Sequence, residues 1–386
     1  MNLSNIDFSI LVIYAITILF IGLYVSRTKK GKEKNSSDYF LASKSLPWWA
    51  IGASLIAANI SAEQIIGMSG SGFAIGFAIA SYEFMAALTL IIVGKYFLPI
   101  FIKKGIYTIP EFLEKRYNAK VKSVLAIFWI FLFVLVNLTS VLYLGGAALD
   151  TIIGNGDGSL ILNSIIGLGL FAAAYSLWGG LSSVAWTDVI QVILLVVGGL
   201  ITTVIALNHI TEDGGILNGL EHIFEKAPKK FNMILNPGDE GYEKLPGIAV
   251  LVGGMWIANL YYWGFNQYII QRTLAAKSVA ESQKGIAFAA ILKMIIPIIV
   301  VLPGIIAFVM YSENPEIAKA FTDTDGSILN DNAYPWLISN FIPSGIKGII
   351  LAALSAAIVS SLASMINSTS TIFTLDIYKS IFNIIT

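Results

Sequence analysis

The sequence of 386 residues contains no cysteine and only two histidines, and charged residues make up only 12% of it. Without thiols, disulfides and thiolate sites for zinc or iron–sulfur clusters are excluded. The histidines, His209 and His222, fall in one polar segment, where a solvated surface role is a simpler interpretation than metal binding. The formal net charge is zero, so nothing indicates nucleic-acid binding. No Walker A loop, catalytic triad or zinc-hydrolase motif is present, and we predict that the protein is not an enzyme.

Apolar residues are abundant instead: they make up 56% of the chain, and the mean hydropathy is +0.77. They are grouped into runs of roughly 20 residues, the length that crosses the hydrocarbon of a bilayer as a helix. Such runs favour transmembrane helices over a β-barrel, and the first is interpreted as a retained anchor rather than a cleaved signal peptide. The nine predicted spans lie at about 6–26, 47–70, 77–101, 121–150, 161–178, 185–208, 247–270, 285–310 and 345–376.

The positions of lysine and arginine predict the orientation of these spans. Six basic residues fall in residues 27–46 and six more in residues 103–122, and Arg272 belongs to a third basic segment after span seven. If the spans alternate, these segments share one side, which the positive-inside rule makes cytoplasmic. We therefore expect a multi-pass protein of the inner membrane with its N-terminus outside.

The order of the spans predicts a single transmembrane domain built from two inverted repeats, the second of them incomplete. Residues 1–46 would form an extra helix and a basic loop, residues 47–208 a first repeat of five helices, and residues 247–386 three helices of a second repeat. Between the repeats, residues 209–246 form an outer loop. Within it, the apolar spacing over 216–224 predicts a short amphipathic helix over the outer mouth.

Two spans are interrupted by polar residues at mid-membrane. Asn59, Ser61, Glu63 and Gln64 fall within six residues of span two, and Asn259 interrupts span seven, where Ala-Asn is repeated. Interrupted spans in corresponding halves of a chain are the best sequence indication of a transporter binding site. We therefore expect both helices to unwind near Asn59 and Asn259.

Span nine carries a face of small residues opposite this predicted break. The Ala357 carbonyl lies one helical turn from the Ser360 and Ser361 hydroxyls, which would give an all-oxygen site suited to a monovalent cation. Tight helix packing with back-bonded serines is the alternative interpretation. Asp188, in a short turn after Trp186 at the cytoplasmic end of span six, could help an ion leave, although helix capping is the simpler role.

Ionisable groups inside apolar spans indicate a shared polar pocket, because each costs about 2.5–3.5 kcal/mol at mid-helix. With the neighbouring amides they offer the donors and acceptors that a polyhydroxylated ligand needs, and aromatic faces after Asn259 could pack on a sugar ring. A structural ion pair between Glu83 and Lys293 is the alternative. The groups are Glu63, Glu83, Lys293, Asn59, Gln64 and Asn259, with the aromatics Tyr261, Tyr262 and Trp263.

Four segments carry a resemblance to a known family. They are DYFLASKSLPWWAIGASLIAANISAEQIIGMSGSG (38–72), GKYFLPIFIKKGIYTIPEFLEKRY (94–117), WIANLYYWGFNQYIIQRTLAAKS (256–278) and AAIVSSLASMINSTSTIF (356–373). The chain resembles the solute:sodium symporter family, most closely its bacterial sodium/galactose members of the sodium/glucose group. The resemblance implies an all-α, leucine-transporter-like fold with inverted repeats and one extra N-terminal helix.

The resemblance also implies roles for individual residues. Sodium would be bound by the carbonyls of Ala57, Ile60 and Ala357 and by the hydroxyls of Ser360 and Ser361. Tyr262 would close the inner side of the sugar site as a gate, and Met68 would lie on its outer side. The residues implied to contact the sugar are Asn59, Gln64, Glu83, Asn259 and Lys293.

The chain departs from the family pattern at two pocket positions and at its end. Ala86 replaces a serine and Phe133 replaces a tyrosine, so two hydroxyls are lost and the sugar could differ. The family continues beyond span nine, and we expect this sequence to be a fragment. The predicted function is sodium-coupled sugar symport. A sodium symporter for an amino acid, sialic acid or a vitamin, or a channel or sensor, are the alternatives.

Overall fold

We describe the fold from a computed structural model that covers residues 3–27, 35–61, 63–154, 156–323 and 325–382. Most of these residues are helical, and the described residues include no β-strand, only two isolated bridges. Among them, π-helical segments occupy Glu63–Gly67, Val93–Phe97, Leu132–Leu138, Tyr261–Phe265 and Phe373–Tyr378. The α-helices are α1 (Asn5–Val25), α2 (Ser36–Phe40), α3 (Trp48–Asn59), α4 (Met68–Ile75), α5 (Ser81–Ile92), α6 (Leu98–Lys103), α7 (Ile109–Arg116), α8 (Ala119–Phe131), α9 (Thr139–Ile153), α10 (Ile161–His209), α11 (Ile216–Lys226), α12 (Gly247–Val252), α13 (Gly254–Leu260), α14 (Gln267–Leu274), α15 (Val279–Glu313), α16 (Pro315–Lys319), α17 (Ala333–Phe341), α18 (Ile346–Ile372) and α19 (Lys379–Phe382).

The second apolar run is broken at its polar residues, as predicted. α3 ends at Asn59, and Ile60 has an extended backbone with φ −80° and ψ 109°. The chain resumes as the π-helical segment Glu63–Gly67, where the amides of Gln64 and Ile65 both donate to the Ser61 carbonyl at 3.1 Å. A helix that ends leaves its last carbonyls without helical partners, so free oxygens are concentrated at this break.

The seventh run is also broken, at Gly253 and at Asn266, and not at Asn259 as predicted. Asn259 lies inside α13, which continues as the π-helical segment Tyr261–Phe265 before Asn266 becomes extended with φ −79° and ψ 120°. The Asn259 amide donates to the Met255 carbonyl at 3.0 Å. Because that bond satisfies the amide within its own helix, the residue requires no break.

Nine apolar runs become seven apolar stretches long enough to span a membrane within the described residues. α10 has 49 residues and would be about 73 Å long if straight, more than twice the hydrocarbon thickness. It turns at Gly180, where φ is 57° and ψ is −150°. Runs five and six are therefore two spans joined at a kink. The stretch Glu63–Lys103 likewise turns at Gly76, with φ 68°, and joins the end of run two to run three.

Contacts between loops confirm that the predicted basic segments share one side of the bundle. The backbones of Leu46 and Ala276 form a bridge, and Thr108 donates to Asp376 at 3.0 Å. The opposite side joins Asp7 to the Gly345 and Gly348 amides at 2.8 and 2.7 Å. Four lysines used in the orientation argument, Lys29, Lys30, Lys32 and Lys34, lie outside the described residues.

The outer loop contains the predicted amphipathic helix. α11 buries Ile223 completely, and Phe224 stacks on Phe231 with ring centroids 3.8 Å apart. The short 3₁₀ turn that follows brings Lys230 to the C-terminal end of α4, where its amino group donates to the Ala74 carbonyl at 2.5 Å. The outer loop is thus fixed to the second half of the first broken span.

α18 lies at the centre of the helix bundle and packs against α3, α10 and α14. Its predicted small-residue face is buried along its whole length, from Ala353 through Ala357 and Ser361 to Ser368. Small side chains allow the backbones of neighbouring helices to approach closely. The arrangement brings α18 against the end of α3, next to the first break.

Candidate functional site

A cavity of about 630 Å³ lies between the two broken spans. It contains all seven side chains predicted to contact a substrate, which come from α3, α4 and the π-helical segment before it, α5, α13 and the π-helical segment after it, and α15. Its lining residues are Ala58, Asn59, Ser61, Glu63, Gln64, Met68, Ile79, Tyr82, Glu83, Ala86, Val136, Asn137, Ser140, Val141, Ala258, Asn259, Tyr261, Tyr262, Trp263, Tyr268, Lys293, Ser361 and Met365.

One wall of the cavity holds a buried ion pair. The Lys293 amino group lies 2.5 Å from Glu83 Oε2, and the two residues are 1% and 3% exposed. Gln64 donates its amide to Glu83 Oε1 and lies 3.3 Å from the Met68 sulfur. Lys293 also lies over the Trp263 ring, 5.2 Å from the centroid. The ion pair considered from sequence is therefore present, and it forms part of the cavity wall.

A chain of hydrogen bonds crosses the cavity between the two broken spans. Asn59 Nδ2 donates to the Tyr262 hydroxyl at 2.9 Å, and the Tyr268 hydroxyl donates to the same oxygen at 2.9 Å. Asn59 Oδ1 is buried and has no hydrogen-bond partner among the described residues. An acceptor oxygen and a phenol are thus held side by side next to the break in α3, where a hydroxylated ligand could bridge them.

The two departures from the family pattern, Ala86 and Phe133, differ in whether they line the cavity. Ala86 lines it, so the cavity wall lacks the hydroxyl that a serine would supply there. Phe133 does not line the cavity. It is fully buried and packs against Trp129 and against the lining residue Tyr268. Asn137 lines the cavity. The loss at position 86 therefore changes the surface that a ligand would meet directly.

The oxygens predicted to hold sodium lie where α18 meets the end of α3. Ser361 donates to the Ala58 carbonyl at 3.1 Å. Ala57, Ile60 and Ala357 are all buried, with 1% or less of each exposed. Ser360 points elsewhere and donates to Asp188 Oδ1 at 2.5 Å. The two serines were predicted to share one patch, but adjacent residues of a helix diverge by about 100°, and only Ser361 faces the break.

Asp188 lies inside α10, not in the turn predicted from the sequence. It is fully buried, accepts the Ser54 hydroxyl at 2.5 Å and lies 3.4 Å from Arg272 Nη2. Arg272 was counted among the basic residues of a cytoplasmic loop, yet it too is fully buried, and its Nε donates to Ser54 at 2.6 Å. These residues link α3, α10, α14 and α18 beside the predicted ion site.

Sequence reasoning missed several functional candidates. Tyr268 lines the cavity and bonds to Tyr262, and Ser140 lines it and donates a hydrogen bond to Glu63, which the sequence had placed in the pocket. The signal for Tyr268 was present in the sequence, since polar residues precede and follow it at the end of a predicted span in GFNQYIIQR (264–272). A basic residue that follows an apolar run is usually a loop residue, so Arg272 gave no such signal.

Comparisons with known proteins agree with this geometry. Residues 39–384 match the Sodium:solute symporter family. The chain is 62% identical to a sodium/glucose cotransporter of Vibrio parahaemolyticus over 98% of its length and 69% of the relative's. It is 36% identical to the uncharacterized symporter YidK of Escherichia coli, covering 92% of this chain and 60% of that one. A human sodium/myo-inositol cotransporter is 33% identical, and the alignment covers 98% of this chain and 55% of that one.

The fold is also similar to that of a solved structure. A Na⁺-coupled sialic acid symporter in a substrate-bound outward-open state matches with a TM-score of 0.83 and 26% identity, covering 97% of this chain and 75% of that one. The leucine-transporter-like class predicted from sequence is confirmed. The chain spans between about half and two thirds of the length of the curated relatives. With its broken helices and matching residues, the chain belongs to the sodium:solute symporter family.

Proposed function

We propose that the full-length protein carries sodium together with a hexose such as galactose or glucose across the inner membrane by alternating access. The observation that supports this most directly is the pairing of a mixed donor and acceptor cavity with a broken helix beside it. The sugar would contact Asn59, Gln64, Glu83, Asn259 and Lys293. Tyr262 would form the inner gate, and Met68 would lie on the outer side.

Sodium would be the coupling ion and would bind at the junction of α3 and α18. The carbonyls of Ala57, Ile60 and Ala357 and the hydroxyl of Ser361 supply neutral oxygens, which suit a monovalent ion that must also leave. The Ser360 hydroxyl would join them only after turning away from Asp188. Asp188 would help the ion to exit. A sodium ion that moves inward across 100 mV releases about 2.3 kcal/mol, which can drive sugar uptake against its gradient.

The charges of the cavity favour a neutral solute over a carboxylate. Within the described lining Lys293 is the sole cationic side chain, and Glu83 already neutralises it while Glu63 adds a second carboxylate. An acidic substrate would meet more negative than positive charge. An amino acid, sialic acid or a vitamin acid is therefore the weaker candidate, and a neutral polyol or hexose is the stronger one.

The test is uptake by the full-length protein in proteoliposomes. An inward sodium gradient should drive accumulation of labelled galactose or glucose, and a potassium gradient should not. A panel containing myo-inositol, sialic acid and proline identifies the solute. Sodium current or partner signalling without any solute uptake would support a channel or a sensor and would contradict symport.

A further inference from the structure

Tyr268 belongs to two networks at once, through different atoms. Its side chain lines the cavity, where its hydroxyl donates to Tyr262 at 2.9 Å. Its main-chain carbonyl accepts a hydrogen bond from Arg272 Nη1 one turn later in α14. Only 4% of the residue is exposed. Any displacement of α14 would therefore move two groups of Tyr268 together: the phenol in the cavity and the carbonyl that Arg272 binds.

The bond from Tyr268 determines what Tyr262 can offer a ligand. A phenol oxygen has two lone pairs and one proton. Here Asn59 Nδ2 and the Tyr268 hydroxyl occupy both lone pairs, each at 2.9 Å. The proton of Tyr262 is what remains, so this hydroxyl presents a donor to the cavity. Without Tyr268, one lone pair would be released and the hydroxyl could turn.

The other network reaches the helices that surround the predicted ion site. Arg272 donates to Ser54 on α3 at 2.6 Å and lies 3.4 Å from Asp188 on α10. Asp188 accepts from Ser360 on α18 at 2.5 Å. α14 also begins directly after the break at Asn266, whose side-chain oxygen is buried without a partner in the described part of the chain. A short helix after a break can shift as a unit.

We infer that Tyr268 is the positioning residue that couples cation binding between α3 and α18 to the hydroxyl that Tyr262 presents to the sugar. The inference rests on the proposed symport. A cation that draws α3 and α18 together moves the Ser54, Asp188 and Arg272 cluster, and the Tyr268 carbonyl follows Arg272. The phenol then fixes the direction of the Tyr262 proton. Tyr268 need not touch the cation for this coupling.

The experiment compares Tyr268→Phe with wild type in the full-length protein, by measuring galactose affinity at several sodium concentrations. Sodium should raise the sugar affinity of the wild type. In Tyr268→Phe this increase should shrink about three- to tenfold, the effect of one hydroxyl hydrogen bond. By linkage, the effect of sugar on sodium affinity should shrink by the same factor. A merely structural role would leave this ratio unchanged.

Two further variants complete the design. Tyr334→Phe is the matched control, since Tyr334 is also 4% exposed and its hydroxyl bonds to Thr202 at 3.5 Å on the outer side. It should leave the sodium effect intact. In a Tyr262→Phe background, Tyr268→Phe should add nothing to the loss of coupling, because the two act through one bond. Independent, additive losses would overturn the inference.

A measurement on the unmodified protein covers the case in which Tyr268→Phe does not fold. Sodium alone, without sugar, should slow amide hydrogen exchange in α14, and potassium should not. Unchanged exchange in α14 would overturn the inference. If the wild type shows no sodium-dependent sugar affinity, the proposed function itself fails; if only the Tyr268 results are negative, the function stands and this inference does not.

Discussion

Glu83 and Lys293 form an ion pair whose oxygen and nitrogen lie 2.5 Å apart in the wall of the central cavity. The second carboxylate oxygen of Glu83 accepts from Gln64, so the carboxylate is satisfied on both sides before any ligand arrives. A ligand that enters must share these partners, since both charges are already balanced. The pair is therefore part of the structure and part of the proposed site.

Lys293→Ala should abolish sugar binding and also destabilise the protein, because it leaves Glu83 charged and buried. Breaking a buried pair typically costs about 3–5 kcal/mol. The double variant Glu83→Gln with Lys293→Met should recover most of the unfolding temperature but not sugar binding. Thermal unfolding in detergent and equilibrium sugar binding measure the two effects. A fully stable Lys293→Ala protein would contradict the structural part of this prediction.

Ser361→Ala should lower the apparent sodium affinity of uptake more than tenfold, because hydrogen-bonded or coordinated charges involve about 1.5–3 kcal/mol per partner. Thr369→Ala is the matched control on the same helix, since its hydroxyl is bonded back to the Met365 carbonyl at 2.8 Å. Sodium titrations of sugar uptake give both values. Equal sodium dependence in wild type and Ser361→Ala would remove this residue from the ion site.

Gly180→Ala should destabilise the kink between the two spans of α10. The added Cβ would lie 2.4 Å from the Tyr39 carbonyl oxygen, at a φ of 57° that other residues rarely adopt. Gly167→Ala, in the same helix, is the control because no described atom outside its own helical turn lies within 4 Å of its added Cβ. The unfolding temperature should fall for Gly180→Ala and stay or rise slightly for Gly167→Ala. Equal unfolding temperatures for the two variants would show that a side chain at position 180 does not strain the kink.

Lys230 should make the free energy of unfolding rise with pH in the alkaline range. Burial lowers the pKa of Lys230 below its ordinary value of 10.5, against the opposing attraction of Glu240. The unfolded chain then binds more protons than the folded chain between the lowered pKa and 10.5, so this residue's contribution to the free energy of unfolding rises with pH across that window. Lys230→Met should remove the rise in denaturant unfolding curves. An unchanged pH slope in the variant would assign the effect to other groups.

The absence of cysteine makes the orientation directly testable. In intact cells, a membrane-impermeant maleimide should label Glu212→Cys in the outer loop and leave Lys120→Cys unlabelled, because both positions are exposed but lie on opposite sides. After the membrane is permeabilised, both should react. The reverse pattern would place the N-terminus inside the cell.

The sequence was sufficient to predict what depends on hydrophobic length and on polar interruption. It located the break after Asn59, the small-residue face of α18 and the side chains that meet in the cavity. It failed where a polar group is satisfied locally, since Asn259 bonds to Met255 within its helix. The second break lies at Asn266 instead.

Long-range pairing explains the other failures. Arg272 looked like a loop cation because the pairing with Asp188 joins residues 84 positions apart. The turn predicted near Asp188 lies at Gly180, where a glycine permits the positive φ. The assignment of the inverted repeats to 47–208 and 247–386, and the roles of individual site residues, stay predictions.

The hydroxyls of two neighbouring serines in α18 both donate hydrogen bonds, Ser361 to a carbonyl at the first break and Ser360 to a carboxylate away from it. Each hydroxyl oxygen therefore offers only lone pairs to anything that approaches. Ser361 can therefore accept a cation without rotating, whereas its proton is not available to a neutral ligand. Folding thus orients the Ser361 oxygen before any ion binds, so this position is ready for a cation in the absence of one.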